Sequence, residues 1–210
     1  METTDEKRPL FASKEVPKRV IQIWLGNPPP PKIEKMMMVV RGVCHVAGWE
    51  YELIDDAFLG GFVVAMARRG RDDFARALAR CCHVSQRSDV IRYWALACFG
   101  GLYLDADVDL WKLPEGFRGA WVWKSTDVSC NAAVLAAPAG DPFVRRLVDG
   151  LPGVELEKDM MAGPPYVTAL VDSLDCPPVG LWATRAWAGA PGAFGHHLYM
   201  RGELGSHLKP

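Results

Sequence analysis

A chain of 210 residues, half of them hydrophobic and 23% charged, can bury a sizeable core, so wholesale disorder is excluded. A formal net charge of −1 creates no field that would draw nucleic acid or an anionic membrane as a general partner. The charged start "METTDEKRPLFASKEVPKR" holds no apolar signal core, and no stretch reaches the roughly 18 uninterrupted apolar residues of a spanning helix. The expectation is a soluble protein of the cytoplasm, with no nucleic-acid partner and no transmembrane segment.

In chain order, residues 1–15 read as a polar tail, and residues 16–210 as one folded unit. "RVIQIWLG", Arg19 to Gly26, is a β-branched run stopped by glycine, asparagine and four prolines, and predicts a buried first strand. "MMMVVRGVCHVAG" has helical spacing, while "WEYELID" alternates large and acidic residues as a half-exposed second strand does. Ala57 to Arg80 reads as helical, with a basic face of Arg68, Arg69, Arg71, Arg76 and Arg80 that solvation alone explains. Ser85 to Phe99 predicts a largely buried helix, with Ser85 as N-cap and Gly100-Gly101 as its stop. "LYLDADV", "GAWVWKS" and "NAAVLAAP" predict strands and "DPFVRRLVDGL" a helix; from about Pro164 the Gly-, Pro- and Trp-rich tail has no clear period. Strands alternating with helices predict an α/β fold, a mostly parallel sheet flanked by helices. The six cysteines, Cys44, Cys81, Cys82, Cys98, Cys130 and Cys176, form no C-x-x-C pair and predict buried thiols, neither a disulfide framework nor a structural zinc site.

The acids after the double glycine carry the chemistry. On a continuous strand "LYLDADVDL" would point Tyr103, Asp105, Asp107 and Asp109 to one face, with about 7 Å between alternate side-chain bases. Two carboxylates at that spacing can serve one hard cation, and the end of an apolar strand is where open α/β sheets bind ligands. An EF-hand loop would need glycine and glutamate where Leu110 and Gly116 stand, so that chemistry fails. A haloacid-dehalogenase-type phosphatase fits "LYLDADV", with Asp105 as nucleophile, but such enzymes carry the motif on their first strand and place an acidic pair after it. Here Asp55-Asp56 and Asp72-Asp73 both precede it. In the third chemistry, sugar transfer, a D-x-D holds a divalent ion that binds the diphosphate of a sugar nucleotide.

"VPKRVIQIWLG", "W.YELIDD" and "SDVIRYWALACFGGLYLDADV", with "NAAVLAAPAGDPF" and "AGPPYVTAL" following in order, resemble the D-x-D glycosyltransferases of family 32. Relatives of that family include the glucosyltransferase domains of large clostridial toxins and, more distantly, family 8. The resemblance runs from Val16 to about Leu170. It implies the A-type glycosyltransferase fold, with a nucleotide-sugar-binding part over about 16–112 and an acceptor and closing part over about 113–210. It also implies Mn2+ or Mg2+, a UDP-sugar donor ahead of a GDP-sugar, a glycan or other hydroxyl acceptor, and retention of anomeric configuration.

By the same resemblance, Trp24 stacks on the base, with backbone groups around Ile23 and Leu25 reading it. Asp89 and Arg92 contact the donor sugar, Tyr103 and Asn131 line the donor pocket, and Asp105 and Asp107 serve ribose and metal. His197 becomes the third metal ligand, and Ser206 or Lys209 holds the diphosphate, although three residues stand inserted after His197 and His207 occupies an expected tryptophan position. The spacing of Asp89 and Arg92 independently places them on one helix face. Simpler roles compete: a core tryptophan at 24, an intrahelical ion pair at 89 and 92, and a loop histidine at 197. Asp109 reads as a turn residue. Two other functions stay open, the phosphatase and a non-catalytic sugar-nucleotide or glycan binder, and the chain could be one domain of a longer protein.

Overall fold

The computed structural model describes residues 14–116, 118–126, 129–158, 160–174, 179–182 and 193–198. Strand β1 (Arg19–Ile23) leads through helix α1 (Pro31–Ala47) to β2 (Glu50–Ile54), which lies parallel beside it. Three helices follow, α2 (Asp56–Ala67), α3 (Asp72–Arg80) and α4 (Val84–Phe99), before β3 (Gly101–Leu104) returns parallel to the other side of β1. Short β4 (Val108–Leu110) leaves the sheet; β5 (Ala120–Thr126), β6 (Ser129–Ala137), α5 (Pro142–Gly150), α6 (Pro164–Asp172) and β7 (Val179–Trp182) extend it. The sheet order is β2-β1-β3-β6-β5-β7, parallel except where β6 runs antiparallel between β3 and β5. Among the described residues β8 (Gly195–His197) pairs only with β4, as a separate antiparallel ribbon. This is the α/β architecture the alternation predicts.

Alternating strand residues feed two cores. Ile21, Ile23 and Tyr103 pack toward α4 with Ile91 and Leu96, whereas Val20, Leu102 and Leu104 pack toward α1 with Val40 and Cys44. Each such side chain contributes about 1.5–3 kcal/mol on burial, so both sheet faces need a helical cover. The double glycine makes the α4-to-β3 return possible. Gly101 has φ +120°, and a Cβ there would lie 2.7 Å from the Arg19 carbonyl oxygen, so only glycine lets the chain draw this close to β1.

Several details differ from the sequence reading. The stretch 57–80 is two helices, because Gly70 takes φ +72° and ends the first. The N-cap of α4 is His83, not Ser85, and its backbone N–H donates to Gln86 Oε1 at 3.1 Å. Cys44 and Cys130 are buried, but Cys81 and Cys98 are half-buried and Cys82 is exposed; Cys176 lies outside the described residues. Trp24 is half-buried rather than a core residue. No helix among the described residues is long and apolar enough to cross a membrane.

Candidate active site

From the carboxyl end of β1 the chain passes through α1 to β2 on one side, whereas from the carboxyl end of neighbouring β3 it continues toward β6 on the other. That is the place where an open α/β sheet forms a ligand crevice. The chain does not continue as a strand past Leu104. Asp105 donates its N–H to the Ala133 carbonyl at 2.8 Å, and its own carbonyl accepts from Val108 N–H at 3.1 Å, closing a four-residue turn over Asp105–Val108. The turn, not strand alternation, brings the Asp105 and Asp107 carboxylates together. Asp109 is left outside: it sits in β4, opposite His196, and accepts from the Trp111 indole at 3.0 Å, so it is a strand residue rather than a turn residue.

The β4–β8 ribbon brings up a third group. Val108 is in register with His197, and Leu198 N–H donates to the Asp107 carbonyl at 3.1 Å. His197 Nε2 therefore lies 3.1 Å from Asp107 Oδ1 and 3.9 Å from Asp105 Oδ2, and the Trp123 ring meets the imidazole edge-on at 5.8 Å between centroids. One ligand atom from each of Asp105, Asp107 and His197 falls within 4.8 Å of the others. Two carboxylates and an imidazole converging on one point fit a divalent cation.

α4 supplies the opposite wall. Asp89 and Arg92 form the expected i,i+3 pair at 2.8 Å, and Arg92 reaches further. It lies 3.2 Å from Asp105, donates to the Ala132 carbonyl at 2.6 Å, and stacks over the Tyr103 ring at 4.5 Å. Burial opposes the Arg92 charge, but the Asp105 and Asp89 carboxylates outweigh it and raise the guanidinium pKa. An intrahelical ion pair alone does not describe a cation shared between two carboxylates on different elements. The Tyr103 hydroxyl donates to Asp105 Oδ1 at 2.6 Å, and burial lifts its pKa well above the usual value, so it stays a donor.

These groups line a cavity of about 310 Å³. Ile23, Trp24 and Leu25 line it, and the Trp24 indole donates to the Asn27 carbonyl at 2.7 Å. Asn131 is a buried wall residue whose Oδ1 accepts from Ala133 N–H at 2.7 Å. Of the residues expected at the site, Ile23, Trp24, Leu25, Asp89, Arg92, Tyr103, Asp105, Asp107, Asn131 and His197 all line this cavity. Ser206 and Lys209 lie outside the described residues.

Other wall residues escaped the sequence reading. Ser85 and Ser88 share the pocket face of α4 with Asp89 and Arg92, and their i, i+3, i+7 spacing to Arg92 was a usable signal. Met160 is at the rim with φ +65°, a conformation a non-glycine residue adopts only where its surroundings impose it. Nearby Gly163 leaves room for the acid, since a Cβ there would stand 3.3 Å from Asp89 Oδ2.

No protein-family profile matches the chain. Over 195 residues it is 26% identical to inositol phosphoceramide mannosyltransferase 3 of Schizosaccharomyces pombe, an alignment covering 90% of this chain and 50% of that protein. The chain thus spans about half the length of that curated relative. Among solved structures, a glycosyltransferase involved in glycosylation of the major capsid of PBCV-1 superposes with TM-score 0.53 at 11% identity, over 90% of this chain and 98% of its own. The fold is that of an A-type glycosyltransferase. A second structure, the PaToxG glycosyltransferase, superposes with TM-score 0.52 at 15% identity, over 76% of this chain and 69% of its own. The sequence relative and both structural neighbours carry glycosyltransferase names, and the chain is homologous to the first.

Proposed function

We propose that this chain is a metal-dependent D-x-D glycosyltransferase of the family 32 type, moving a hexose-like sugar from a nucleoside diphosphate to a hydroxyl acceptor with retention. The observation that carries the reading is the convergence of Asp105, Asp107 and His197 beside the Asp89–Arg92 pair in one cavity. In this reading Asp105, Asp107 and His197 hold the cation, and Arg92 orients Asp89 and Asp105 toward the donor sugar and ribose. Trp24 offers its face to the base, a platform that suits any π-system. Tyr103 and Asn131 close the pocket, and Ser206 and Lys209 are proposed to hold the diphosphate. A bound divalent cation would neutralise the charge that builds on the leaving diphosphate.

Among the described residues, the only carboxylates lining the cavity are Asp89, Asp105 and Asp107. Arg92 or the cation cluster engages each of them. This favours a transfer in which the leaving phosphate, rather than a separate carboxylate, takes the acceptor proton. It also weighs against Asp105 as a phosphatase nucleophile, because Tyr103 and Arg92 already occupy its Oδ1. Residues up to about 112 would form the donor part and those from about 113 the acceptor and closing part.

The relative's name makes mannose the first sugar to test, on both UDP and GDP. With Mn2+, nucleotide release from one UDP- or GDP-hexose is expected, and EDTA should abolish it. Absence of release across a panel of both nucleotides, with and without simple glycoside acceptors, would contradict the reading.

A further inference from the structure

Gln22 stands fully buried near the carboxyl end of β1, where the neighbouring residues Val20, Ile21 and Ile23 are all apolar. A buried amide is costly unless each end is hydrogen-bonded. Both ends are. Gln22 Nε2 donates to the Asp105 carbonyl at 3.2 Å, and Gln22 Oε1 accepts from the Tyr51 hydroxyl of β2 at 3.0 Å. The Asp105 carbonyl can only accept, so the amide nitrogen must face it and the amide oxygen must face Tyr51. Burial, and behind it the neighbouring Cys44, holds the Tyr51 hydroxyl's pKa up at about 12, which keeps it a donor at working pH.

The Asp105 backbone is consequently held on every side. Its N–H is bound by the Ala133 carbonyl of β6, and its carbonyl is shared by Val108 N–H, which closes the turn, and by Gln22. The chain Tyr51–Gln22–Asp105 runs across β2, β1 and the end of β3, tying the D-x-D turn to β1 and the edge strand β2. An apolar residue at 22 would satisfy the core equally well; it would leave the Asp105 backbone fastened by the turn's own hydrogen bond and by β6, with Asp107 tied to Leu198.

We propose that Gln22, oriented by Tyr51, is a positioning residue that sets the separation of Asp105 and Asp107 and thereby the affinity of the site for a divalent cation. The proposal rests on the functional reading above. Residues that hold metal ligands in place from behind typically matter by about 10–100-fold in metal affinity.

The test measures Mn2+ affinity by electron paramagnetic resonance, with and without UDP or GDP, alongside thermal stability of the metal-free protein. Gln22→Met keeps the side-chain volume and removes the amide; the double variant Gln22→Met/Tyr51→Phe removes both buried polar partners, a change that is close to neutral for stability. Both variants should bind Mn2+ roughly 10–100-fold more weakly than the wild type. The double variant should do so with little change in metal-free unfolding temperature. Tyr51→Phe alone, which leaves Gln22 in place without the partner of its Oε1, should show a smaller loss of affinity and covers the case in which Gln22→Met does not fold. Wild-type Mn2+ affinity in any folded variant lacking the Gln22 amide, or in Tyr51→Phe if none folds, overturns the proposal. A fall in stability with unchanged affinity does the same, because it assigns Gln22 to stitching the sheet. Failure of the wild type itself to bind Mn2+ would instead strike at the functional reading, and the two failures are distinguished by that control.

Discussion

Asp107→Ala is expected to abolish divalent-cation binding while leaving the metal-free fold intact. Asp107 and Asp105 each offer a carboxylate oxygen within 4.8 Å of the other and of the His197 imidazole. Without a cation two such carboxylates repel, so alanine at 107 removes a like-charge interaction as well as a ligand. Losing a direct ligand should exceed the roughly 10–100-fold that losing a supporting partner costs. Titration calorimetry with Mn2+ and circular dichroism on the metal-free protein check both halves. Retained Mn2+ affinity would move the cation elsewhere, and a collapsed metal-free fold would make Asp107 a structural residue.

Arg92→Met is expected to be the most destabilising single change at the site. The guanidinium side chain is only 6% exposed and is shared by Asp89, Asp105 and the Ala132 carbonyl. Methionine fills much of the volume but leaves the buried Asp89 without its cation. Removing one member of a buried pair costs about 3–5 kcal/mol, because the remaining charge is left uncompensated. For a chain of this size that is a fall of about 6–20 °C in unfolding temperature. Adding Asp89→Asn should recover part of the loss, since the stranded charge then disappears. A single variant within about 2 °C of wild type, read by the same scale, would show that Arg92 is not coupled to the acids as its geometry indicates.

Legibility from sequence followed the range of the interactions. Helix α4 and strand β3 were readable because their determinants are local: an apolar helix wall, a glycine stop, then a short leucine and tyrosine run. Asp89 and Arg92 were readable for the same reason, their spacing placing both on one helical face. The D-x-D turn was not, because Val108 and Leu110 stay in apolar phase with Leu102 and Leu104, so alternation runs on past the point where the chain turns. The turn depends on the Ala133 carbonyl of β6, 28 positions away, which no local period reports. β8 is three residues long, too short for a period, and His197 reaches the acids only through pairing with β4. Gln22 hid for a related reason: a single amide in "RVIQIWLG" looks tolerated, and its meaning comes from partners on β2 and after β3.

The cavity is proposed to bind a nucleoside diphosphate through a cation held by Asp105, Asp107 and His197. Thermal unfolding with UDP or GDP, each with and without Mn2+, tests it most directly. At about 100 times the dissociation constant, a ligand of the folded state adds roughly 2.7 kcal/mol, or about 5–10 °C for a chain of this length. That shift is expected with one nucleotide, only when Mn2+ is also present. An unchanged unfolding temperature with both nucleotides, or an equal shift in EDTA, would contradict it.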